Sequence, residues 1–240
     1  MIPQHAGVVW QDSTDGKKTL DSATRHTEYL TMNVVQQMLI RHARQHPNAT
    51  LDGYLRTLVQ GVRGHVLEVG CSSGNLFRYY PKSVTRLLGL EPSVEARAAA
   101  AREASKLPFP ASVTGLTPSA GIPVDSRSID YVVCNEVLCS VTDPGQVLKD
   151  IRRILRTDGE LRLFEHIASE NGRGRLIQRM VDGLGWPKLL GGCHTSRRTP
   201  EAVRDAGFEW ITLEHVWYAR LLILRPAGPH ILGRASLRQD

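Results

Sequence analysis

The sequence predicts an α/β fold, in which a mostly parallel β-sheet carries helices on both faces. Short apolar runs alternate with helical stretches along most of the 240 residues, a pattern typical of β-α-β units. Hydrophobic residues make up 41% and charged residues 22% of the chain, and these globular proportions exclude wholesale disorder. A glycine-bearing turn also directly follows the first apolar run, and sheets of this kind bind ligands where their strands end.

The first half of the core is predicted from two apolar runs and the turns after them. Residues 65–69 (HVLEV) form the first strand, and the turn 70–74 leads into a helix that extends to about Tyr80. Residues 86–90 (RLLGL) form the second strand. A helix over 93–104 follows, and its first residue, a serine, is a suitable N-cap.

The second half of the core repeats this alternation. Residues 111–115 are a third strand candidate, and residues 129–134 (IDYVVC) form the fourth strand. Residues 144–155 form an amphipathic helix, because their apolar residues recur on one helical face. An Asp-Gly turn then leads into the fifth strand at 160–164.

Residues before the first strand are predicted to be helical. The stretches 31–45 and 50–62 both have helical patterns, so we interpret 1–62 as an N-terminal helical lid and 63–240 as the core.

Residues after the fifth strand depart from the alternation. The glycine-rich segment 167–200 is expected to be an irregular, substrate-side insertion, and the stretches 208–216 and 220–224 are expected to be a closing pair of strands. Additions of this kind commonly cover the edge of a parallel sheet where ligands bind.

The charge distribution and hydropathy bear on partners and location. The net charge is +6, but the basic surplus lies mainly in residues 149–240 without a dense tract, so we expect no nucleic-acid partner. A solvated face explains the surplus, and a patch for another anionic partner is the alternative. No apolar run approaches the roughly 18 residues of a membrane span. Residues 1–14 lack the features of a secretory signal, so we expect a cytoplasmic protein without a membrane anchor.

The four cysteines, Cys71, Cys134, Cys139 and Cys193, indicate a reducing compartment. None forms a C-x-x-C pair, and no histidine cluster completes a zinc pattern. The sequence therefore predicts no metal site, and free thiols in these positions are expected to pack as small apolar side chains.

The turn 70–74 and the end of the second strand carry the most chemical information. Gly70 and Gly74 bring bare backbone close to a ligand, and Glu91, 21 residues after Gly70, can accept hydrogen bonds from both ribose hydroxyls of an adenosine. The spacing G-x-x-x-G differs from the G-x-G-x-x-G of dinucleotide sites, and Glu68 would repel a pyrophosphate. Because Glu68 suits a cationic amino-acid portion, the pattern points to S-adenosylmethionine. The alternative is that these are ordinary turn glycines and surface carboxylates.

The order of four motifs resembles the class I S-adenosylmethionine-dependent methyltransferases. The resemblance covers about residues 60–166 and rests on E-V-G-C-S-S-G, G-L-E-P-S, S-I-D-Y-V-V-C-N-E-V-L and I-R-R-I-L-R-T-D-G-E-L. It implies a Rossmann-like, seven-stranded sheet with an antiparallel last strand. It also implies that the cofactor lies over the ends of strands one, two and four.

A narrower resemblance extends beyond these motifs. The short segments V-L-C-S-V, F-E-H-I-A, G-C-H-T-S-R and P-H-I-L-G, within 137–233, are similar to the animal thiol S-methyltransferases of the methyltransferase-like seven group. Those enzymes begin with a membrane-associating apolar helix, which this sequence lacks. The resemblance implies a soluble small-molecule methyltransferase whose acceptor is a thiol.

The resemblance also implies a set of cofactor-binding residues. They are Glu68, Gly70, Cys71, Gly74, Glu91, Pro92, Thr117, Ser119, Asn135 and Leu138. Two positions depart from the family pattern, since Ser72 replaces the usual middle glycine and the acidic residue that many relatives have after strand three is missing. Adenine would then contact backbone groups, Thr117 or Ser119. Asn135 is equally well explained as a loop-capping residue.

Candidate catalytic and substrate-binding residues lie at the same edge of the predicted sheet. His166 follows the fifth strand and could act as a general base towards a thiol, phenol or amine, or it could simply shape the pocket. His194 is the second catalytic candidate, and the substrate-binding candidates are His26, Tyr29, Cys139 and Arg197.

The predicted activity is therefore in-line methyl transfer from S-adenosylmethionine to a small molecule, with a thiol as the acceptor. The alternatives are an O- or N-methyltransferase of a small aromatic or secondary metabolite, and an S-adenosylmethionine-binding protein without catalysis. A nicotinamide oxidoreductase is disfavoured by the glycine spacing and by Glu68. The oligomeric state is not indicated.

Overall fold

The computed structural model describes residues 49–118, 121–219 and 222–238. These residues form one seven-stranded sheet with the order β3-β2-β1-β4-β5-β7-β6. The strands are β1 Gly64–Val69, β2 Val84–Leu90, β3 Ala111–Thr114, β4 Ile129–Asn135, β5 Leu155–His166, β6 Phe208–Trp217 and β7 Pro229–Leu237. Strands β1 to β5 are parallel to one another, whereas β7 runs antiparallel to both β5 and β6. The predicted Rossmann-like architecture with an antiparallel last strand is thus confirmed.

Helices cover both faces of this sheet. They are α1 Ala49–Leu58, α2 Val94–Ala104, α3 Pro144–Ile154, α4 Gly172–Gly183, α5 Trp186–Leu189 and α6 Thr199–Asp205. Three of them begin at a side-chain N-cap: the backbone N–H of Ala96 donates to the Ser93 hydroxyl (3.3 Å), and Asp143 and Asn171 cap α3 and α4 in the same way. Such caps contribute about 1 kcal/mol each because they satisfy backbone groups that the helix leaves unpaired.

One face of the sheet packs against α3 and α6. The apolar side of α3, which includes Leu148 and Ile151, is fully buried against alternate residues of the central strands, such as Leu67 and Val132. Each such side chain contributes about 1.5–3 kcal/mol through burial. Because helices cover both faces of the sheet, residues on both sides of the central strands are apolar, which is why these strands were recognisable in the sequence as short apolar runs.

The opposite face packs against α1 and α2. Leu55 and Leu58 of α1 are buried in the same cluster as Phe164 of β5, and the Tyr54 ring stacks on the Phe164 ring at 5.4 Å. The described part of the predicted lid segment therefore packs against the sheet. The helix predicted over 31–45, together with the rest of residues 1–48, lies outside the described residues.

Three predicted elements differ from the structure. The α-helix expected up to Tyr80 is only a short 3₁₀ helix, Phe77–Tyr79, whose buried Phe77 packs beneath the preceding turn. The closing strand expected at 220–224 is wrong, because a 3₁₀ helix occupies Leu222–Ala227 and the strand that pairs with β5 and β6 is β7.

The third difference concerns the segment 167–200, which is mostly helical instead of irregular. It contains α4 and α5 and the start of α6. The fifth strand is also longer than predicted, but the Asp-Gly turn persists inside it, since the pairing with β4 jumps from Leu155 to Glu160.

In the part of the chain that the structure describes, no helix is both long and apolar enough to cross a membrane.

Candidate active site

The turn after β1 forms the floor of the candidate site. Gly70, Ser72 and Gly74 all have positive φ angles, of 68°, 49° and 75°. A Cβ atom on Gly70 would lie 2.5 Å from a methyl carbon of Val137, so only glycine permits the segment after β4 to approach so closely. The turn after β1 and the segment after β4 are therefore neighbours, as the resemblance implied.

Glu91 connects the turn after β1 to the end of β2. Its two carboxylate oxygens accept hydrogen bonds from the backbone N–H groups of Ser72 and Ser93, both at 2.9 Å. Burial raises the pKa of Glu91, and these two bonds and the nearby Arg97 guanidinium oppose that effect. Arg97 also donates to the carbonyl oxygens of Glu91 and Pro92, which fixes the backbone at the end of β2.

Glu68 lies beneath the same turn, on the sheet face that packs against α1. Its side chain is buried, and one carboxylate oxygen accepts a hydrogen bond from the Tyr80 hydroxyl at 2.9 Å. Burial raises the pKa of Glu68 to about 8, although the bond from Tyr80 favours the charged form. Without a cation beside it, Glu68 is therefore protonated at neutral pH.

Cys71 supports the turn through packing and backbone bonds. Its N–H donates to the carbonyl of Leu90 at 3.0 Å, and its sulfur lies where a side chain on Gly89 would otherwise stand. Burial raises the pKa of the thiol strongly, so Cys71 remains an uncharged packing residue.

Two unusual residues lie at the end of β4 and directly after it. The Asn135 side-chain oxygen is buried and has no hydrogen-bond partner among the described residues. Glu136 has a φ angle of 55°, and its N–H donates to the carbonyl of Phe164 at 2.7 Å. A buried acceptor without a partner is uncommon in folded proteins.

The Glu165 carboxylate holds the rest of this segment. It accepts hydrogen bonds from the backbone N–H groups of Val137 (2.9 Å), Leu138 (3.0 Å) and Cys139 (3.4 Å). Burial raises the pKa of Glu165 to about 7, and the three backbone donors and His166 limit the rise. The sequence did not reveal this role, because the partners lie 26 to 28 residues away.

His166 points to the other side of β5 and meets two cysteines. Its Nε2 lies 2.9 Å from the sulfur of Cys193, and its Nδ1 is buried without a partner among the described residues. Hydrogen bonding from Cys139, opposed by burial and reinforced by His166, lowers the pKa of Cys193 to about 5. Burial would lower the pKa of His166, but Cys193 together with Glu136 and Glu165 raises it. This arrangement favours a thiolate and an imidazolium.

The other predicted acceptor-side residues border this group. The His194 backbone N–H donates to the carbonyl of Cys139 at 2.9 Å, which joins the insertion to the segment after β4. Arg197 donates to the carbonyl of Val141 at 2.8 Å and lines, with Leu138, a cavity of about 500 Å³ beside α6. Both residues therefore help to position backbone at the acceptor side.

Four of the predicted site residues stay predictions. Thr117 follows β3 and is half-buried. Ser119, His26 and Tyr29 lie outside the described residues. Sequence reasoning also missed the pairing of Cys193 with His166, which are separated by 27 residues.

Comparisons with known proteins agree with this geometry. The sequence family described as "Methyltransferase domain" matches residues 67–163. The chain is 32% identical over 182 residues to thiol S-methyltransferase TMT1B of Mus musculus, and the match covers 74% of this chain and 73% of that protein. It is 30% identical over 173 residues to thiol S-methyltransferase TMT1A of Homo sapiens, covering 71% of this chain and 69% of that protein.

Solved structures support the fold. Geranyl diphosphate C-methyltransferase from Streptomyces coelicolor A3(2), in complex with Mg²⁺, geranyl diphosphate and S-adenosyl-L-homocysteine, has a TM-score of 0.59 at 14% identity. The superposition covers 79% of this chain and 77% of that chain. Together with the identities above, this shows that the chain belongs to the class I S-adenosylmethionine-dependent methyltransferases, in the family that contains the mammalian thiol S-methyltransferases.

Proposed function

We propose that this methyltransferase methylates the sulfur atom of a small-molecule thiol. The observation that carries the proposal is the 32% identity to thiol S-methyltransferase TMT1B, which covers 74% of the chain and thus extends beyond the methyltransferase domain at 67–163. The acceptor side of the site adds a physical reason, because thiols need little help to react and a buried imidazole is available there.

The residues at the strand ends fit S-adenosylmethionine. Each carboxylate oxygen of Glu91 accepts one backbone N–H and keeps a second acceptor position, so Glu91 would accept bonds from the two ribose hydroxyls. The unpartnered, buried oxygen of Asn135 suits a donor on the methionine portion. Glu68 would gain a cationic partner in the ammonium group of that portion.

The chain contributes mainly alignment and exclusion of water. The cofactor supplies an electrophilic methyl group on a sulfonium sulfur. Glu165 fixes the backbone from Val137 to Cys139, and Leu138 is almost fully buried, so this wall of the site holds one position. A fixed wall keeps an acceptor atom in line with the methyl group, and such positioning accounts for several kcal/mol in displacement reactions.

A thiol acceptor needs weaker acid–base assistance than a phenol acceptor. The reference pKa of a thiol is about 8.5 and that of a phenol about 10, so a thiol loses its proton with weaker assistance. We propose that His166, whose pKa is raised beside Cys193, assists this proton loss by placing positive charge next to the acceptor sulfur, with His194 and Arg197 bordering the substrate.

The test is a turnover assay of the purified full chain with S-adenosylmethionine and three acceptors, namely a small alkyl thiol, a phenol and an amine. Mass spectrometry of the products should show methylation of the thiol at a rate well above those of the other two. The Glu91→Ala variant should lose this activity, and Glu103→Gln, which changes an exposed carboxylate at the far end of α2, should keep it.

Two outcomes would contradict the proposal. Methylation of the phenol or amine without methylation of the thiol would favour an O- or N-methyltransferase. Binding of S-adenosylhomocysteine without turnover of any acceptor would favour a protein that binds the cofactor without catalysis.

A further inference from the structure

Three side chains at the acceptor side form a compact set of soft ligands, called here the Cys₂His group: Cys139, His166 and Cys193. Their donor atoms all lie within 4.8 Å of one another. Cys139 comes from the segment after β4, His166 from the end of β5, and Cys193 from the loop between α5 and α6. In the described part of the chain, no other set of three His, Cys, Asp or Glu side chains converges in this way.

The geometry of the Cys₂His group suits zinc. Zn²⁺ binds cysteine sulfur at about 2.3 Å and histidine nitrogen at about 2.0–2.1 Å, so two ligand atoms of a tetrahedral site lie roughly 3.5–3.8 Å apart. The Nε2 of His166 and the sulfur of Cys193 are 2.9 Å apart, and the largest separation in the group is no more than 4.8 Å. Side-chain movements of about 1 Å would therefore place all three atoms on one ion.

The surroundings of the Cys₂His group are those of a buried cation site. Cys139 and His166 are almost fully buried, and the Nδ1 of His166 has no partner among the described residues. The Cys139 sulfur makes weak contacts with the Glu136 carbonyl at 3.5 Å and the Ser140 hydroxyl at 3.3 Å, and an ion is one of the ordinary explanations for a buried polar atom without a partner, such as the Nδ1 of His166. The two sulfurs would share one cation as thiolates, so neither negative charge would be buried alone.

We propose that Cys139, His166 and Cys193 bind one Zn²⁺ ion, and that its fourth coordination position takes the sulfur of the substrate thiol. Three protein ligands with one open position are typical of catalytic zinc, whereas structural zinc usually has four protein ligands. Cys139 directly follows Leu138, the residue that the family resemblance places beside the methionine portion of the cofactor. A sulfur atom on the ion would thus lie at the methyl-bearing side of the site.

The second half of this proposal rests on the proposed thiol methylation. When the substrate thiol binds to zinc, its proton leaves to solvent and its sulfur remains as a metal-bound thiolate. A lone pair of this sulfur forms the new bond to the methyl carbon, while the bond between that carbon and the cofactor sulfonium breaks and its electron pair stays on the cofactor sulfur. The products are a thioether and S-adenosylhomocysteine, and no oxidant or reductant is required. The thioether is a weak ligand and leaves the ion.

Cobalt(II), a spectroscopic substitute for zinc, tests the metal site directly. The purified full chain, kept reduced and freed of metal, is titrated with Co²⁺. We expect a sulfur-to-cobalt charge-transfer band and intense visible bands of a four-coordinate ion, with saturation at one equivalent and loss of the bands on addition of Zn²⁺. The Cys193→Ser and Cys139→Ser variants should lower the Co²⁺ affinity by more than about 100-fold. Cys134→Ala, which changes a buried β4 cysteine outside the group, should leave it unchanged.

Folding of each variant is checked by its circular dichroism and by its thermal stabilisation with S-adenosylhomocysteine. Cys193 lies in a loop, so Cys193→Ser gives a readout even where Cys139→Ser fails to fold. Absence of the cobalt bands in the wild-type chain, or bands that persist unchanged in the folded Cys193→Ser variant, would overturn the zinc site.

Addition of a small alkyl thiol to the cobalt protein tests the open position. We expect the charge-transfer band to gain intensity, because a third sulfur joins the ion, and we expect methylation to fall at least 10-fold when the metal is removed and to return with Zn²⁺. Unchanged bands and metal-independent methylation would overturn the role in thiol activation. Failure of the proposed function is distinguishable, since cobalt would then bind as described while no thiol is methylated.

Discussion

Replacing Glu68 with glutamine is expected to stabilise the folded protein at neutral and alkaline pH. The glutamine side chain has nearly the same shape and keeps an oxygen that accepts the bond from the Tyr80 hydroxyl. It cannot ionise, however, and the expected gain in folding stability comes from that difference alone.

The magnitude follows from the pKa of the buried carboxyl group. Its pKa is about 8 in the folded chain against 4.5 in the absence of the fold, so between these values the unfolded chain releases a proton that the folded chain retains. The unfolded state thus binds fewer protons, and the free energy of unfolding falls as pH rises from 4.5 through 8. At 1.36 kcal/mol per pKa unit, Glu68 costs about 1 kcal/mol at pH 5, about 3 kcal/mol at pH 7 and about 4 kcal/mol at pH 8.

Urea denaturation at several pH values between 5 and 8, without cofactor, measures this effect. The wild-type chain should lose stability relative to Glu68→Gln by about 3 kcal/mol over that range. Tyr80→Phe removes the hydroxyl that favours the charged form of Glu68, so it should deepen the pH dependence. Glu103→Gln, which makes the same change at an exposed position, should leave the pH dependence of stability unchanged. If Glu68→Gln and wild type showed parallel stability curves from pH 5 to 8, the carboxyl group would not be held neutral by burial.

Three further changes probe the walls of the site. Glu91→Ala should weaken the binding of S-adenosylhomocysteine, measured by calorimetry, by about 100-fold, because two hydrogen bonds to a charged group contribute roughly 3 kcal/mol. An affinity within a few-fold of wild type would show that Glu91 does not bind the ribose. Glu165→Ala should lower the free energy of unfolding, measured in urea, by about 3–5 kcal/mol, because three buried N–H groups lose their acceptor. A loss below about 1 kcal/mol would show that the carboxylate does not hold the segment after β4. Gly70→Ala should reduce the affinity for S-adenosylhomocysteine more than 10-fold, because the added methyl group clashes with Val137 and the φ angle of residue 70 is positive. Adding Val137→Ala should restore part of the lost affinity. If the double variant bound no better, the clash with Val137 would not be the cause of the loss.

The parts of the fold that the sequence predicted correctly are those governed by local pattern. Strands β1 and β4 are short, mostly apolar runs, α3 has an apolar face of period 3.6, and Ser93 is followed by a run of helix-forming residues. The turn after β1 and Glu91 were recognisable because glycine and acidic residues at strand ends have a defined role in this fold.

The elements that were mispredicted depend on contacts between distant residues. Glycines in 167–200 suggested an irregular segment, yet Asn171 caps α4, and Gln178 secures it through bonds to Ser169, Ile167 and Pro226. No strand was predicted over β7, which contains a glycine in its middle. Gly233 is required there because the Trp210 ring of the neighbouring strand lies where its side chain would be.

The Cys₂His group was not recognised from the sequence for a related reason. Zinc patterns are recognised in sequences by ligands two to five residues apart, whereas Cys139, His166 and Cys193 follow one another at intervals of 27 residues. Only the parallel pairing of β4 with β5, together with the backbone bond from His194 to Cys139, brings the three segments to one point.

The last two residues of β5 connect the cofactor side of the site to its acceptor side. Because side chains alternate along a strand, Glu165 and His166 point to opposite sides of the sheet. Glu165 holds the backbone of the segment after β4, including Cys139, while His166 approaches Cys193 of the loop between α5 and α6. A shift of the end of β5 would therefore displace both walls together, so the distance between a methyl donor and its acceptor depends little on such movements. In-line displacement is most sensitive to that distance, which gives a physical reason to build both walls on one strand end.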